Sequence, residues 1–430
     1  MKKITVGVIG FGTIGTGVVK TLENNKELFQ DRIGVPVDLK WVADIDIVRD
    51  RGIAVSAERL TTDGFKIVDD PEVDIVIELV GGCGIAKEFI VRALKNGKSV
   101  VTANKALLAE HGKELFEKEE KSDGTIAFEA AVAGGIPIIK VVRESFVANR
   151  IESIHGIING TANYIFTKMA REKISFAQAL KQAQELGYAE ADPTLDVDGI
   201  DSAHKLVILG SLASSTIFSM EDCYIEGIRK ISEIDIDYAE KFGYVIKLLA
   251  IYKNYNGQVQ LRIHPTLIPD SHLLGSVMDS YNGIFVKGDV VGSTMFYGRG
   301  AGELPTASAV LADVVDIARA MVNDTLAQRK DFTRPRQTVK VTDISDIESR
   351  YYFRFTVIDQ PGVLAEIAGI LGRCKISISD VLQKERRVGD VVSVIVFTHH
   401  AREKAMRAAL EQIDNLPVVK DKTLVIRIEE

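Results

Sequence analysis

Cysteine is scarce: three residues in 430, Cys83, Cys223 and Cys374, far apart and with no CxxC spacing. That excludes a disulfide framework, argues against a zinc site, and suits a reducing compartment. The seven histidines add no metal-ligand pattern. Long apolar runs are also missing, and none approaches the about 18 residues a membrane-crossing helix needs. MKKITVGVIG begins with a basic pair as a signal peptide would, but its apolar run meets glycines and has no cleavage-type end. There is no basic excess either. The formal net charge is −7, whereas nucleic acid and anionic membranes both attract a basic face. The expectation is a cytoplasmic protein with a small-molecule partner, no nucleic acid and no membrane.

What is present is ordinary globular material, 46% hydrophobic and 26% charged, in a length that suggests about three domains. ITVGVIG is a β-branched run ending at glycines, and TIGTGVVKTLENN follows with helical spacing. Strand-like runs recur at Val37–Asp44, Val73–Val80, Lys98–Thr102 and Thr125–Ala131, with helices between them at Ile85–Asn96 and Lys105–Lys121. Strands alternating with helices imply βαβ units and a parallel sheet, so residues 1–135 read as one doubly wound domain. Residues 136–328 mix helices (Ala162–Glu172, Phe176–Leu186, Ser202–Thr216) with strands (Arg150–Ile157, Val259–His264), an α+β pattern. A helix near Thr306–Leu326, within about residues 304–326, is expected to return and complete the first domain. Arg329–Arg350 reads as a linker. Residues 351–430 then run β-α-β-β-α-β with a turn at Val388–Asp390, the ferredoxin-like order. The fold class is α/β.

Gly10-Phe11-Gly12-Thr13-Ile14-Gly15 is a GxGxxG between that first strand and helix. Its glycines allow a tight turn, backbone approach to a pyrophosphate and close helix–strand packing, and the helix N-terminus adds N–H groups. The reading is a dinucleotide site. Asp44, in VADID, is the acid expected at the second strand's end to accept from a ribose hydroxyl. Arg49 is placed instead to meet a 2′-phosphate, so NAD and NADP both stay open. Lys105 closes KSVVTANK at a strand's carboxyl end, where ligands bind in open α/β sheets. A cation at a helix start is electrostatically unfavourable and needs another reason.

GYAEADPTLDVDGIDSAHK crowds Glu190, Asp192, Asp196, Asp198 and Asp201 ahead of Lys205, and LVILGSLA follows. Asp198 and Asp201 are spaced as a helix-capping pair. Asp201 and Lys205 lie one turn apart on one face. The apolar flanks imply that the helix is covered, and burial moves a lysine toward proton-transfer range. Glu190, Asp192 and Asp196 are candidates to converge on a substrate ammonium.

The stretch resembles the homoserine dehydrogenase family. Its signature is met by Ala183, Gly187, Tyr188, Ala189, Asp192-Pro193, Asp196, Gly199, Asp201 and Lys205. VVTANKALL (Val100–Leu108), EAAVAGGIPII (Glu129–Ile139), NGTANYI (Asn159–Ile165) and YGRGAGELPTASAV (Tyr297–Val310) are similar to the same family, over residues 1 to about 325. The resemblance implies reversible NADPH- or NADH-dependent reduction of L-aspartate 4-semialdehyde to L-homoserine. Lys205 would be the proton donor, with Lys105 sharing that role or binding cofactor and substrate. Glu190, Asp196 and Asp201 would bind substrate, and Gly302, in a second glycine loop, the cofactor. It further implies a sodium ion on the Glu129 side chain and the carbonyls of Val132, Gly134 and Ile136. Glu190-Ala191-Asp192-Pro193 departs from the family's Glu-Pro-Asp-Pro.

VIDQPGVLAEIAGIL (Val357–Leu371) resembles an ACT domain, which implies an amino-acid effector, usually threonine, and a homodimer or homotetramer. Lys375 stands where such domains commonly have asparagine or glycine. Two rival readings remain: a phosphorylating aspartate-semialdehyde dehydrogenase, for which Cys83 has no matching histidine signal, and a non-catalytic sensor of dinucleotide and amino acid.

Overall fold

The computed structural model describes residues 3–333, 339–383 and 391–430. The turn expected at Val388–Asp390 lies outside the described residues, as does part of the stretch read as a linker. Two compact units emerge. The first comprises Met1–Ile154, Asp201–Cys223 and Tyr281–Val339; the second comprises His155–Ile200, Tyr224–Ser280 and Lys340–Glu430.

The first unit is built on six parallel strands: β1 (Ile4–Ile9), β2 (Val37–Ala43), β3 (Leu60–Thr61), β4 (Ile75–Glu78), β5 (Ser99–Thr102) and β6 (Ile126–Ala127). Their order is β3-β2-β1-β4-β5-β6. The chain reverses its direction of growth between β1 and β4, so the crevice beyond their carboxyl ends is the ligand position of a doubly wound sheet. Every residue of β1, β4 and β5 is buried, because helices cover both faces, and this is why these strands read as continuous apolar runs. On one face Val18, Val19 and Leu22 of the Thr13–Asn24 helix pack with Val310, Val314 and Ile317 of the Glu303–Val322 helix against Val6, Val8 and Ile75. Each such side chain contributes about 1.5–3 kcal/mol by leaving water.

One strand is shorter than its sequence suggests. Thr125–Ala131 reads as a strand, yet β6 stops at Ala127 and Glu129–Ala131 is a 3₁₀ turn. The Glu129 N–H donates to Asp313 Oδ2 at 2.7 Å, and the Ala131 N–H turns back to the Phe128 carbonyl at 2.9 Å. Both donors are thereby lost to the ladder.

In the second unit, Tyr244–Tyr255 and Gln258–Pro269 form an antiparallel hairpin through Asn256-Gly257, both at positive φ, the pairing a two-residue turn prefers. Gln258–Pro269 pairs on its other edge, in parallel, with Val419–Ile428. The sheet then continues through Glu348–Ile358, Val391–Thr398 and Ile378–Gln383. With the helices Val363–Arg373 and Glu403–Asp414, these four strands are the ferredoxin-like module. Its last strand is thus hydrogen-bonded to the hairpin rather than held by a tether alone. Among the described residues no helix is long and apolar enough to cross a membrane.

Candidate active site

The glycine loop follows β1 in the first unit. Gly10 has φ +101, and a Cβ there would stand 2.7 Å from the Leu79 carbonyl group; at Gly15 it would overlap the Gly10 carbonyl. Nothing lies within 4 Å of the Cβ position at Gly12, so that face of the loop is open to a ligand. Thr13 and Ile14 begin the helix, which has Gly12 as N-cap and no side-chain cap. Its first N–H groups are therefore available to a pyrophosphate. The residues fit a dinucleotide.

Asp44 is already engaged. Its Oδ2 accepts from the Phe11 N–H at 2.6 Å and its Oδ1 from the Asp46 N–H at 2.9 Å. Arg51 packs over the Phe11 ring at 4.7 Å and donates to the carbonyls of Phe11, Arg49 (2.9 Å) and Asp46 (2.5 Å). This fastens a loop on which Arg49 is exposed. Arg51 Nη2 also lies 3.5 Å from Asp44 Oδ1; the sequence did not single it out, because most of its contacts are to backbone carbonyls, which no residue pattern reports.

Lys105 opens the Lys105–Glu120 helix directly after β5. Asn104 caps that helix, its Oδ1 accepting from the Leu107 N–H at 3.1 Å. Its Nδ2 donates to the carbonyls of Val80 (3.2 Å) and Gly82 (2.7 Å), tying the β5 and β4 loops together. Asp201 and Lys205 lie on the Ile200–Ser214 helix, whose residues are almost all buried. The Asp201 carboxylate meets both lysines: Oδ1 is 3.0 Å from Lys105 Nζ and Oδ2 2.8 Å from Lys205 Nζ. The Lys205 side chain is 11% exposed against 40% for Lys105. Pairing with Asp201 gives Lys105 the reason its helix-start position lacked. The buried His204 lies 3.7 Å from Glu110 Oε1, and burial pushes its pKa down.

The other acids belong to the second unit and have separate tasks. Asp192 Oδ1 accepts from the Thr194 N–H (3.1 Å) and hydroxyl (2.6 Å), so it caps its own turn. Asp196 Oδ1 accepts from Asn159 Nδ2 at 2.7 Å. Glu190 is exposed. Asp198 takes the Arg229 guanidinium, through Nε at 2.5 Å and Nη2 at 3.1 Å.

Glu129 is buried in the first unit, its oxygens accepting from the N–H groups of Ile139 (2.9 Å) and Lys140 (2.8 Å). Burial and then the neighbouring Asp313 push its carboxyl up to about 7. Ala133 and Gly134 both have positive φ (56° and 43°), so the chain turns sharply between the buried Val132 and Ile136. The Ile136 carbonyl accepts from the Ile138 N–H at 2.8 Å and keeps a second lone pair. A buried carboxylate short of positive charge beside such a turn fits a monovalent cation with hard oxygen donors. Gly302, at φ +129, is the N-cap of the Glu303–Val322 helix.

The fold also assembles what the sequence concealed. Cys83, in the loop after β4, lies beside Glu110 and His111 of the Lys105–Glu120 helix, with donor atoms within 4.8 Å of one another. No local spacing could have signalled this, since β5 separates the two segments.

Family models match three segments of the chain. One described as homoserine dehydrogenase matches residues 137–315, its NAD-binding-domain counterpart residues 10–129, and an ACT-domain model residues 351–418. The chain is 44% identical over 432 residues to a homoserine dehydrogenase of Neisseria gonorrhoeae, spanning 100% of this chain and 99% of that one. It is 38% identical over 430 residues to that of Bacillus subtilis, spanning 100% and 99%. A solved Thiobacillus denitrificans homoserine dehydrogenase superposes with a TM-score of 0.94 at 44% identity, covering 100% of this chain and 99% of that one. A Staphylococcus aureus structure gives 0.79 at 32% identity, covering 100% and 99%. The chain therefore belongs to the homoserine dehydrogenase family, NAD(P)-dependent oxidoreductases that interconvert L-aspartate 4-semialdehyde and L-homoserine, and it carries an ACT domain.

Proposed function

We propose that Lys205 delivers the proton to the aldehyde oxygen of L-aspartate 4-semialdehyde, with Lys105 and Asp201 setting the charge around it. The observation that carries this is the single Asp201 carboxylate meeting both ammonium groups, one of them nearly buried. The bound nicotinamide supplies the hydride in reduction and accepts it in oxidation. As the carbonyl oxygen becomes an alkoxide, a fixed ammonium lowers the barrier by stabilising that charge and then protonating it. Lys105, more exposed, adds a second positive charge at the same carboxylate. On the motif alone, Glu190 and Asp196 take the substrate's ammonium.

The decisive experiment is Lys205→Ala, followed by initial rates of semialdehyde reduction and by cofactor affinity. The expected result is a rate loss between about 10² and 10⁴-fold with unchanged cofactor binding. A variant retaining nearly full rate would move the proton donor to Lys105.

NADP is the preferred cofactor in this reading. The Asp44 carboxylate already takes two backbone N–H groups and lies 3.5 Å from Arg51 Nη2, while Arg49 is exposed on the loop that Arg51 fastens. Sodium is assigned to Glu129 and the carbonyls of Val132, Gly134 and Ile136, where it would offset the buried carboxylate. Threonine is the proposed effector of the ACT module, whose helix Val363–Arg373 starts at Gly362 with φ +95. A homodimer or homotetramer accords with the partly exposed outermost strand, Ile378–Gln383.

A further inference from the structure

The loop after β4 holds Cys83 against the Lys105–Glu120 helix, and Cys83 Sγ lies 3.6 Å from Glu110 Oε2. The imidazole of His111, the next residue on that helix, completes a group whose donor atoms all fall within 4.8 Å of one another. Among the described residues it is the one such cluster of three histidine, cysteine or acidic side chains. Both supports are rigid. Cys83 is the N-cap of the Gly84–Lys95 helix, and the Gly82 carbonyl before it accepts from Asn104 Nδ2 at 2.7 Å. Pre-positioned donors on two fixed elements reduce the ordering that binding requires.

Two chemistries suit a cysteine beside a histidine. An activated nucleophile needs its thiol pKa lowered by nearby positive charge. Here burial, and then the Glu110 carboxylate, push the Cys83 thiol up, with Glu78 adding to the effect. Lys87, the nearest lysine on the Gly84–Lys95 helix, is paired with Glu114 at 2.5 Å. The Glu110 carboxylate 3.6 Å from Cys83 Sγ supplies negative charge where an activated thiolate would need positive charge, and that same charge attracts a cation. Sulfur, imidazole nitrogen and carboxylate oxygen are zinc's own donor types, and three protein ligands leave a fourth position open. The thiolate selects against magnesium and calcium.

We propose that Cys83, Glu110 and His111 form a binding site for a thiophilic divalent cation, best matched by zinc. Its Glu110 ligand also approaches His204, next in the chain to Lys205, so occupancy would bear on the helix that carries the two charged residues of the active site.

The test uses the full-length reduced protein and Co²⁺ as a spectroscopic probe, titrated without oxygen. A sulfur-to-cobalt charge-transfer band should rise to one equivalent and be bleached by Zn²⁺ but not by Mg²⁺. Cys83→Ser should abolish the band, while Cys374→Ser should keep it. His111→Gln should weaken Co²⁺ binding by about tenfold or more, since even indirect partners of a metal ligand cost that much. This second variant decides the matter should Cys83→Ser fail to fold. The proposal is overturned if the wild type shows no band, if Cys83→Ser retains it, if Mg²⁺ bleaches it, or if His111→Gln binds Co²⁺ with unchanged affinity.

Discussion

Lys105 and Lys205, from different segments of the chain, are held side by side by the two oxygens of one carboxylate, that of Asp201. Replacing it by a neutral amide removes the negative charge between two ammonium groups and leaves a single oxygen where each lysine now has its own. Asp201→Asn should therefore lower kcat by at least about tenfold, with KM for the cofactor unchanged. Steady-state kinetics with both substrates varied decides this, and an unaltered kcat would mean that the carboxylate is only structural.

Much of this site was legible in the sequence, for a reason that can be stated. Asp201 and Lys205 are one helical turn apart, so their pairing follows from the 3.6-residue period, and the apolar run after them announces burial. Lys105 was suspect because a cation opening a helix needs compensation, but that Asp201 supplies it depends on how distant segments pack. The β-α alternation of the first unit and the ferredoxin-like order of residues 351–430 were likewise readable, since hydrophobic period distinguishes strand from helix. What was not legible rests on distant contacts. Asp198 meets Arg229, 31 residues away in the chain. Cys83 met His111 only because β4 and β5 are neighbours.

The cofactor preference separates two arginines. Arg49→Ala should reduce kcat/KM for NADPH by about tenfold or more, the value of a lost charged contact, and leave kcat/KM for NADH nearly unchanged. Equal losses with both cofactors would remove Arg49 from the 2′-phosphate.

Sodium should raise thermal stability relative to choline at equal ionic strength. A ligand at roughly ten times its Kd stabilises by about 1.4 kcal/mol, which a melting curve resolves. Glu129→Gln should melt lower in both salts, because its amide opposes the N–H groups of Ile139 and Lys140, and should lose the difference between them. A sodium effect surviving in this variant would place the ion elsewhere.

Lys375 departs from the residue types common in ACT domains, and the backbone shows its cost. It has φ +61 just beyond the Val363–Arg373 helix. The Ile376 N–H bonds to the Leu371 carbonyl at 2.9 Å and the Lys375 N–H to that of Gly372 at 3.0 Å. This is the helix-ending pattern in which glycine is favoured at the left-handed position. Leu371 and Ile376 are both buried in the module's core, so the strained turn is held by packing. Lys375→Gly should stabilise the module by about 1 kcal/mol, read as a higher urea midpoint with unchanged slope. A lower midpoint would show that the lysine side chain contributes more than the strain costs.

Lys247 gives the pH prediction. It is 2% exposed on the Tyr244–Tyr255 strand and donates to Asn163 Oδ1 at 3.0 Å and to the Val277 carbonyl at 2.5 Å. Burial, and then Arg171, push its pKa down to about 8, against the partial opposition of Asp279. Glu240, on the Glu233–Lys241 helix, lines the small cavity beside it. Between pH 8 and 10.5 the unfolded chain holds the lysine proton and the folded chain does not, so this group makes stability rise with pH across that window. Below pH 8 the full penalty applies, up to about 3 kcal/mol. Lys247→Met removes the penalty but leaves the Asn163 and Val277 acceptors without this donor, a loss of about 1–3 kcal/mol. Near pH 7 the two effects should largely cancel. As pH rises, the variant should fall progressively behind the wild type, because only the wild type gains from deprotonation. Denaturation midpoints for both proteins at closely spaced pH values give the difference directly, and parallel curves would mean that Lys247 titrates as an ordinary lysine.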